Sequence, residues 1–406
     1  MPESAGDDLA VLVGSRVRWH RRRRGLSLQE LAQLVGHTKR WMSLLEQEGR
    51  GALRLDTLID LARVLRIDDL SSLVGRRFTA TGLEMPEHPA VPEVRKVLTH
   101  TLLAASPEVA PCSTERLEGR VRHAWDAWHV SRTQNTQLGL LLPGLLRDTT
   151  ALTRATSASG VQRRAAYEIA TSVYLLGQRF AYGVRAMQLA AQFTERALLA
   201  ADASENPYLM ALAGWGSAMT SLTAQQPQEA EETALAALRH VARPASVEEQ
   251  SLHGALLLFA AMGAASDRRA GDAWRHWEAA KQAAASLGGH VGVETMFSAT
   301  NVGIYAVAVN VECGRSSAAV ASAAQLDPKR MPSTNRRAQH FIDLARSHHQ
   351  AGDRDSARGA LLESARASAE TIAFNPDGRR LVAEMVRQTH TLDDEFAGLA
   401  ERLGLQ

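Results

Sequence analysis

A chain of 406 residues with 45% hydrophobic content is long enough to bury sizeable cores, and predicts two domains or one domain plus a repeat array. The net charge is only +2 but unevenly placed: residues 1–77 hold fourteen Lys/Arg against ten Asp/Glu, leaving the remainder slightly acidic. The two cysteines, Cys112 and Cys313, have no ligand spacing, and the longest apolar run, residues 254–265, is too short for a bilayer; a disulfide or zinc framework and a membrane span are set aside. These features fit a cytoplasmic protein with both cysteines as core thiols.

Alanine and leucine dominate, β-branched runs are rare, and Gly or Pro falls between periodic segments, so the fold class is all-α. The first predicted helix runs from Asp8 to Arg24 and ends in the basic run Arg21 to Arg24. Ser27 and Glu30 form a capping box that starts a second helix, Leu28 to Val35. Gly36 ends it, Thr38 caps a third helix, Lys39 to Glu48, and Ala32 stands where the two helices cross. A fourth spans Leu55 to Leu65, and Asp68 caps a short fifth.

Gly14, Val17, Arg18, Arg21, Gly25-Leu26-Ser27, Glu30-Leu31-Ala32, Gly36, Ser43, Glu46 and the stretch Leu55 to Leu65 together resemble a Cro/cI-like helix-turn-helix domain of the XRE family. The resemblance covers the first fifth of the chain. Leu28 departs from it where such domains carry a phosphate-bonding Gln, as do His20 and His37 at usually apolar positions. It implies a five-helix domain over residues 1–78 that binds double-stranded DNA at a near-palindromic operator. Candidate DNA contacts are Arg18, Arg21, Arg22, Ser27, Gln29, Thr38, Lys39, Arg40 and Ser43. Of these, Lys39, Arg40 and Ser43 stand on the exposed turns of the third helix, and the arginines neutralise phosphates.

Periodicity stops from Thr79 to Pro92, where Pro86, Pro89 and Pro92 mark a linker. Residues 93–406 return to helices. Trp125 and Trp128 are expected as core packing beside Leu117 and Val121. Beyond Val161 loose helix pairs recur: 206–224 with 227–242, 248–266 with 269–287, 294–313 with 316–326, and 333–350 with 353–371. Their starts lie 39 to 46 residues apart, each pair broken by a small polar turn. One pair cannot bury its own face, so pairs stack. The pattern resembles tetratricopeptide (TPR) repeats, with units longer than the usual length of about 34. The whole chain then resembles XRE-TPR regulators such as the RRNPP-type peptide-pheromone receptors of quorum sensing, which implies a TPR-like right-handed α-solenoid for effector binding and dimerisation.

No phosphate-cradling glycine loop, HExxH or GxSxG is present and the histidines are scattered, so neither an enzyme nor a cofactor is expected. Glu294, Asn301 and Tyr305, at spacings of seven and four, share one stripe of an otherwise apolar helix. With Trp215, Arg337 and His340 from neighbouring units they form the expected effector site, for a peptide or a metabolite. Two readings stay open: a ligand-responsive regulator acting as a homodimer, and a DNA-binding regulator whose repeats serve protein assembly alone.

Overall fold

The computed structural model describes residues 4–48, 55–65, 67, 70, 73, 86–103, 112–155, 160–331, 333–388 and 393–405, the side chains of 4–12, 48, 101 and 102 excepted. Every regular element among them is helical, and the chain divides into two compact units, residues 1–85 and 86–406. The expected fifth helix from Asp68 and residues 79–85 of the expected linker lie outside this description, apart from isolated positions of the former.

The first unit contains α1 (Ser4–Arg23), α2 (Leu28–Leu34), α3 (Lys39–Glu48) and α4 (Leu55–Leu65). Helix α1 starts four residues before the expected Asp8. Around the turn the local chemistry is as read from the sequence. Ser27 Oγ accepts from the Glu30 N–H at 3.2 Å, and the Glu30 carboxylate accepts from the Ser27 N–H at 2.7 Å. Gly36 has φ +70°, which allows the His37 N–H to reach Ala32 O at 2.8 Å and close α2. Thr38 Oγ1 then accepts from the Trp41 N–H at 3.2 Å.

Val13, Val17, Leu31, Ala32, Met42, Leu45, Leu58, Leu61 and Leu65 are the core of this unit. At Gly14 the crossing of α1 and α3 is backbone against backbone. A Cβ there would stand 1.9 Å from the Leu45 carbonyl oxygen, so only glycine fits.

The second unit opens with α5 (Val91–Leu103), whose first turn contains Pro92; the end of the expected linker is therefore already helical, at a position where a missing N–H costs nothing. Then come α6 (Thr114–Val130), α7 (Gln134–Ala155), α8 (Gly160–Gly183), α9 (Met187–Ser204), α10 (Pro207–Thr223), α11 (Pro227–Leu238), α12 (Val247–Ser266), α13 (Ala270–Ala285), α14 (Ala299–Glu312), α15 (Ser316–Ala323), α16 (Thr334–Gln350), α17 (Arg354–Ala367), α18 (Ala369–Ala373), α19 (Pro376–Gln388) and α20 (Asp394–Arg402).

A shared turn makes the pairs equivalent despite their divergent residues. Helices α8, α10, α12, α14 and α16 each end in a left-handed residue: Arg185, Gln225, Arg268, Gly314 and Gly352. The following N–H returns to a carbonyl five residues back, as in Gln226 to Ser221 at 3.0 Å and Arg315 to Asn310 at 2.8 Å.

Two expected helices are shortened by caps. Ser298 Oγ accepts from the Asn301 N–H at 3.3 Å and starts α14 there, leaving Glu294 in a turn beside Met296 at φ +51°. Ser368 Oγ accepts from the Thr371 N–H at 3.2 Å and separates α18 from α17.

The array closes on itself. Thr334 Oγ1 donates to the His129 and Ser131 carbonyls at 3.1 and 2.9 Å, and Ser368 Oγ to the Arg132 carbonyl at 3.2 Å. Gln134 Nε2 donates to Thr371 Oγ1 at 2.9 Å, and the Asn135 N–H to the Glu370 carboxylate at 2.7 Å. The loop between α6 and α7 is thus stitched to α16 and α18, more than two hundred residues later. The helix pairs form a ring.

Candidate functional site

Two surfaces carry groups suited to recognition, one in each unit. In the first, Lys39 and Arg40 are exposed on the opening turn of α3, Ser43 is half-buried one turn later, and Met42 and Leu45 point into the core. Trp41 is braced by His37, whose ring stacks on it at 3.8 Å. Ser27, Gln29, Thr38, Arg18 and Arg22 are exposed nearby in sequence. Amphipathic α3 therefore buries one face and offers a cationic one, the arrangement a groove-reading helix needs.

In the second unit the ring surrounds a half-open cavity of about 260 Å³, walled by the first helices of successive pairs: α6, α8, α10, α12, α14 and α16 all contribute. Trp215, Phe259 and Tyr305 give it flat apolar surfaces. Arg179 is its most unusual wall residue. It is fully buried, lies 4.1 Å over the Trp215 ring, and contacts Gln178 Oε1 and Met219 Sδ through Nη1. Its Nη2 makes no hydrogen bond among the described residues. Burial, reinforced by Arg336, depresses its pKa to about 9, which still leaves a cation at neutral pH.

Arg336 lines the same cavity and is held by neutral partners: Nη1 donates to Asn301 Oδ1 at 3.0 Å and the Tyr305 hydroxyl at 3.2 Å, and Nη2 to the Thr295 carbonyl at 3.0 Å. Trp215 Nε1 and both side-chain polar atoms of Asn135, all buried, lack hydrogen-bond partners among the described residues. Burial first, then Arg336 and Arg179, push His129 down to about 3, so it is neutral. Elsewhere the wall is charge-balanced: Arg346 donates to Glu312 at 2.9 Å and lies 3.6 Å from Asp343. Glu294 accepts from the Tyr208 hydroxyl at 3.1 Å.

Residues 12–71 match the family model of a helix-turn-helix domain. The matched stretch begins within α1 and ends just past α4. PlcR from Bacillus thuringiensis, solved in complex with the peptide PapR7 and DNA, aligns with 86% of this chain and 99% of its own at 10% identity and a TM-score of 0.29. No curated protein matches the chain.

Within the helix-turn-helix domain the structure corrects the reading of the arginine run. Arg21 is buried, its guanidinium held by Glu46 and by the Leu26 carbonyl at 2.7 Å, so it faces the core. Arg24 donates to the Val64 carbonyl and Arg23 lies 5.2 Å over Trp19. Arg22 remains as the run's exposed cation without such a contact among the described residues.

Among the expected effector residues, Trp215, Glu294 and Tyr305 line the cavity. Asn301 does not; it is buried behind the wall, holding Arg336. Arg337 and His340 are also absent from the wall, His340 being buried among neighbouring side chains. Glu294 and Asn301 do not share one helix face, because α14 begins after Glu294. Arg179, Arg336 and Asn135 were missed. Trp128, expected as plain core, is buried and also part of the wall. The two cysteines are only half-buried, Cys313 packing against the cluster of Ala261, Ala264, Ala265, Ala273 and Val309.

Proposed function

We propose that this protein is a sequence-specific DNA-binding transcriptional regulator, dimeric on a near-palindromic operator, whose helical-repeat unit binds a small effector in its central cavity. The DNA half is supported by the helix-turn-helix match together with the exposed Lys39 and Arg40 on α3. The sensing half is carried by one observation: Arg179, Trp215 and Asn135, each with a buried polar atom that lacks a partner among the described residues, all line a metabolite-sized cavity. A role in protein assembly alone gives those groups no use.

Because Asn135 of α7 and Thr371 of α18 both line the cavity, a bound effector contacts both sides of the seam between the α6–α7 loop and α18 at once. Asn135 belongs to the seam through its backbone and is also among the residues lining the cavity. An effector preferring the stitched ring biases the repeat unit between two states, and about 1.4 kcal/mol of coupling gives a tenfold change in operator affinity.

The deciding experiment is capture of sheared genomic DNA by the full-length protein, with Arg40→Ala alongside. Enriched sites with half-sites about one helical turn or a multiple apart, lost in the variant, support the reading. Absence of enrichment by the unaltered protein rejects it, and a monomer by light scattering both free and on captured DNA removes the dimer.

A further inference from the structure

The geometry points to a carboxylate-bearing organic anion of metabolite size as the ligand of the ring cavity, its charge received by Arg179 and Arg336 and its apolar part laid against Trp215. The assignment rests on the sensing role proposed for this cavity and narrows it to a chemical class.

A buried charge is tolerated when it is paired, and Arg179 is not. No carboxylate bonds to it or to Arg336 among the described residues; their partners are two amide oxygens, a thioether, a phenol and a backbone carbonyl. Two guanidiniums close enough to perturb each other therefore share one wall of the cavity. Each neighbouring donor without a partner, Arg179 Nη2 and Trp215 Nε1, is suited to an acceptor oxygen, and Asn135 adds an amide.

The position of Asn135 is built in. A Cβ on Gly183 would lie 2.4 Å from Asn135 Oδ1, so the absence of a side chain on α8 makes room for that amide beside the cavity. Arg336 is fixed by Asn301, Tyr305 and Thr295, which take three of its five N–H donors and leave two for a ligand. Glu294, also on the wall, limits the excess of positive charge and favours an organic monoanion over a multiply charged phosphate.

The test uses the full-length protein and matched probes: N-acetylphenylalanine, its neutral amide, phenyl phosphate and inorganic phosphate. Thermal unfolding and calorimetry should show that the carboxylate binds and raises Tm by about 5 °C at a hundredfold excess over Kd, with the amide ineffective. Arg179→Met should abolish that response while leaving ligand-free Tm unchanged or higher, since it removes an unpaired buried charge at similar volume. Arg336→Gln, which keeps a donor for Asn301, should weaken binding at least tenfold.

A loss of ligand-free stability in Arg179→Met together with a flat response of wild type to all four probes at millimolar concentration overturns the proposal. Tight binding of either phosphate in preference to the carboxylate also overturns it. Binding of the amide alone removes the anion while leaving a sensing cavity intact. Carboxylate binding that leaves DNA affinity unchanged does the reverse, retaining the anion site and removing its sensory role.

Discussion

The Arg21 guanidinium holds Glu46 through two parallel hydrogen bonds, Nε to Oε1 at 2.7 Å and Nη2 to Oε2 at 2.8 Å, with both side chains buried. This fork joins the end of α1 to the end of α3, and so fixes the helix that offers Arg40. Removing one partner leaves the other charge buried and unpaired. Arg21→Ala or Glu46→Ala should therefore destabilise the first unit by about 3 to 5 kcal/mol, whereas Arg21→Met with Glu46→Leu should cost far less. Hydrogen exchange of the α1 to α4 amides in the full-length protein reads this directly; equal losses in the single and double variants would show that packing, not the unpaired charge, matters.

Arg40 and Arg22 should separate base readout from phosphate contact. Arg40→Ala is expected to cost about 1 to 3 kcal/mol on the operator with little change on random DNA. Arg22→Ala should weaken both DNAs alike and reduce the salt slope by about one. Titrations at several salt concentrations check both, and equal losses on the two DNAs for Arg40→Ala would remove it from the reading set.

Burial should give the repeat unit two opposing pH dependences. Asp343 is pushed up to about 7, burial outweighing the adjacent Arg346, while burial pushes His340 down to about 4. Between about pH 4 and 7 the folded protein keeps a proton on Asp343 that the unfolded chain has released, so this group costs stability as pH rises through that window and nothing further above it. His340 works the other way: from about 6.5 down to about 4 only the unfolded imidazole takes up a proton, and stability falls as pH drops. Denaturant titrations should find Asp343→Asn gaining on wild type from pH 4 to 7 with a plateau beyond. A pH-independent difference would mean that Asp343 ionises normally.

Glu370 should be the seam's most sensitive residue. Its carboxylate accepts from the Asn135 and Thr136 N–H groups and from the Thr136 hydroxyl. Glu370→Ala leaves these donors without their acceptor, at about 1 to 3 kcal/mol. Amide exchange at Asn135 and Thr136 should accelerate strongly, with the interiors of α10 to α13 unaffected; uniform acceleration would show instead that the ring opens only by global unfolding.

What could be read from the sequence followed the range of the interaction. Ser27, Glu30, Gly36 and Thr38 act within three residues of themselves, so α2 and α3 fall within a residue of their expected bounds. Arg21 acts on a residue twenty-five positions away, and its place in a basic run made it, with Arg22, a candidate phosphate contact. The cavity shows the same division. The spacing of Asn301 and Tyr305 correctly put them on one face of α14, yet both turn out to serve Arg336. Choosing Arg337 over Arg336 was an error of one residue, but one residue rotates a helix by about 100° and exchanges wall for flank. Arg179 had no local signature at all: in Leu-Leu-Gly-Gln-Arg-Phe it reads as an exposed position, and only the ring buries it.

Closure of the ring also limits how such a chain can change over evolutionary time. An open solenoid gains or loses a helix pair by duplication or deletion at little cost, because each pair touches only its neighbours. Here an added pair would carry Thr334, Ser368 and Glu370 out of register with residues 129 to 136 and break every bond between them. The number of pairs is thereby fixed by the circumference. Related chains that keep the closure should differ by substitution and by loop length, and not by whole repeats.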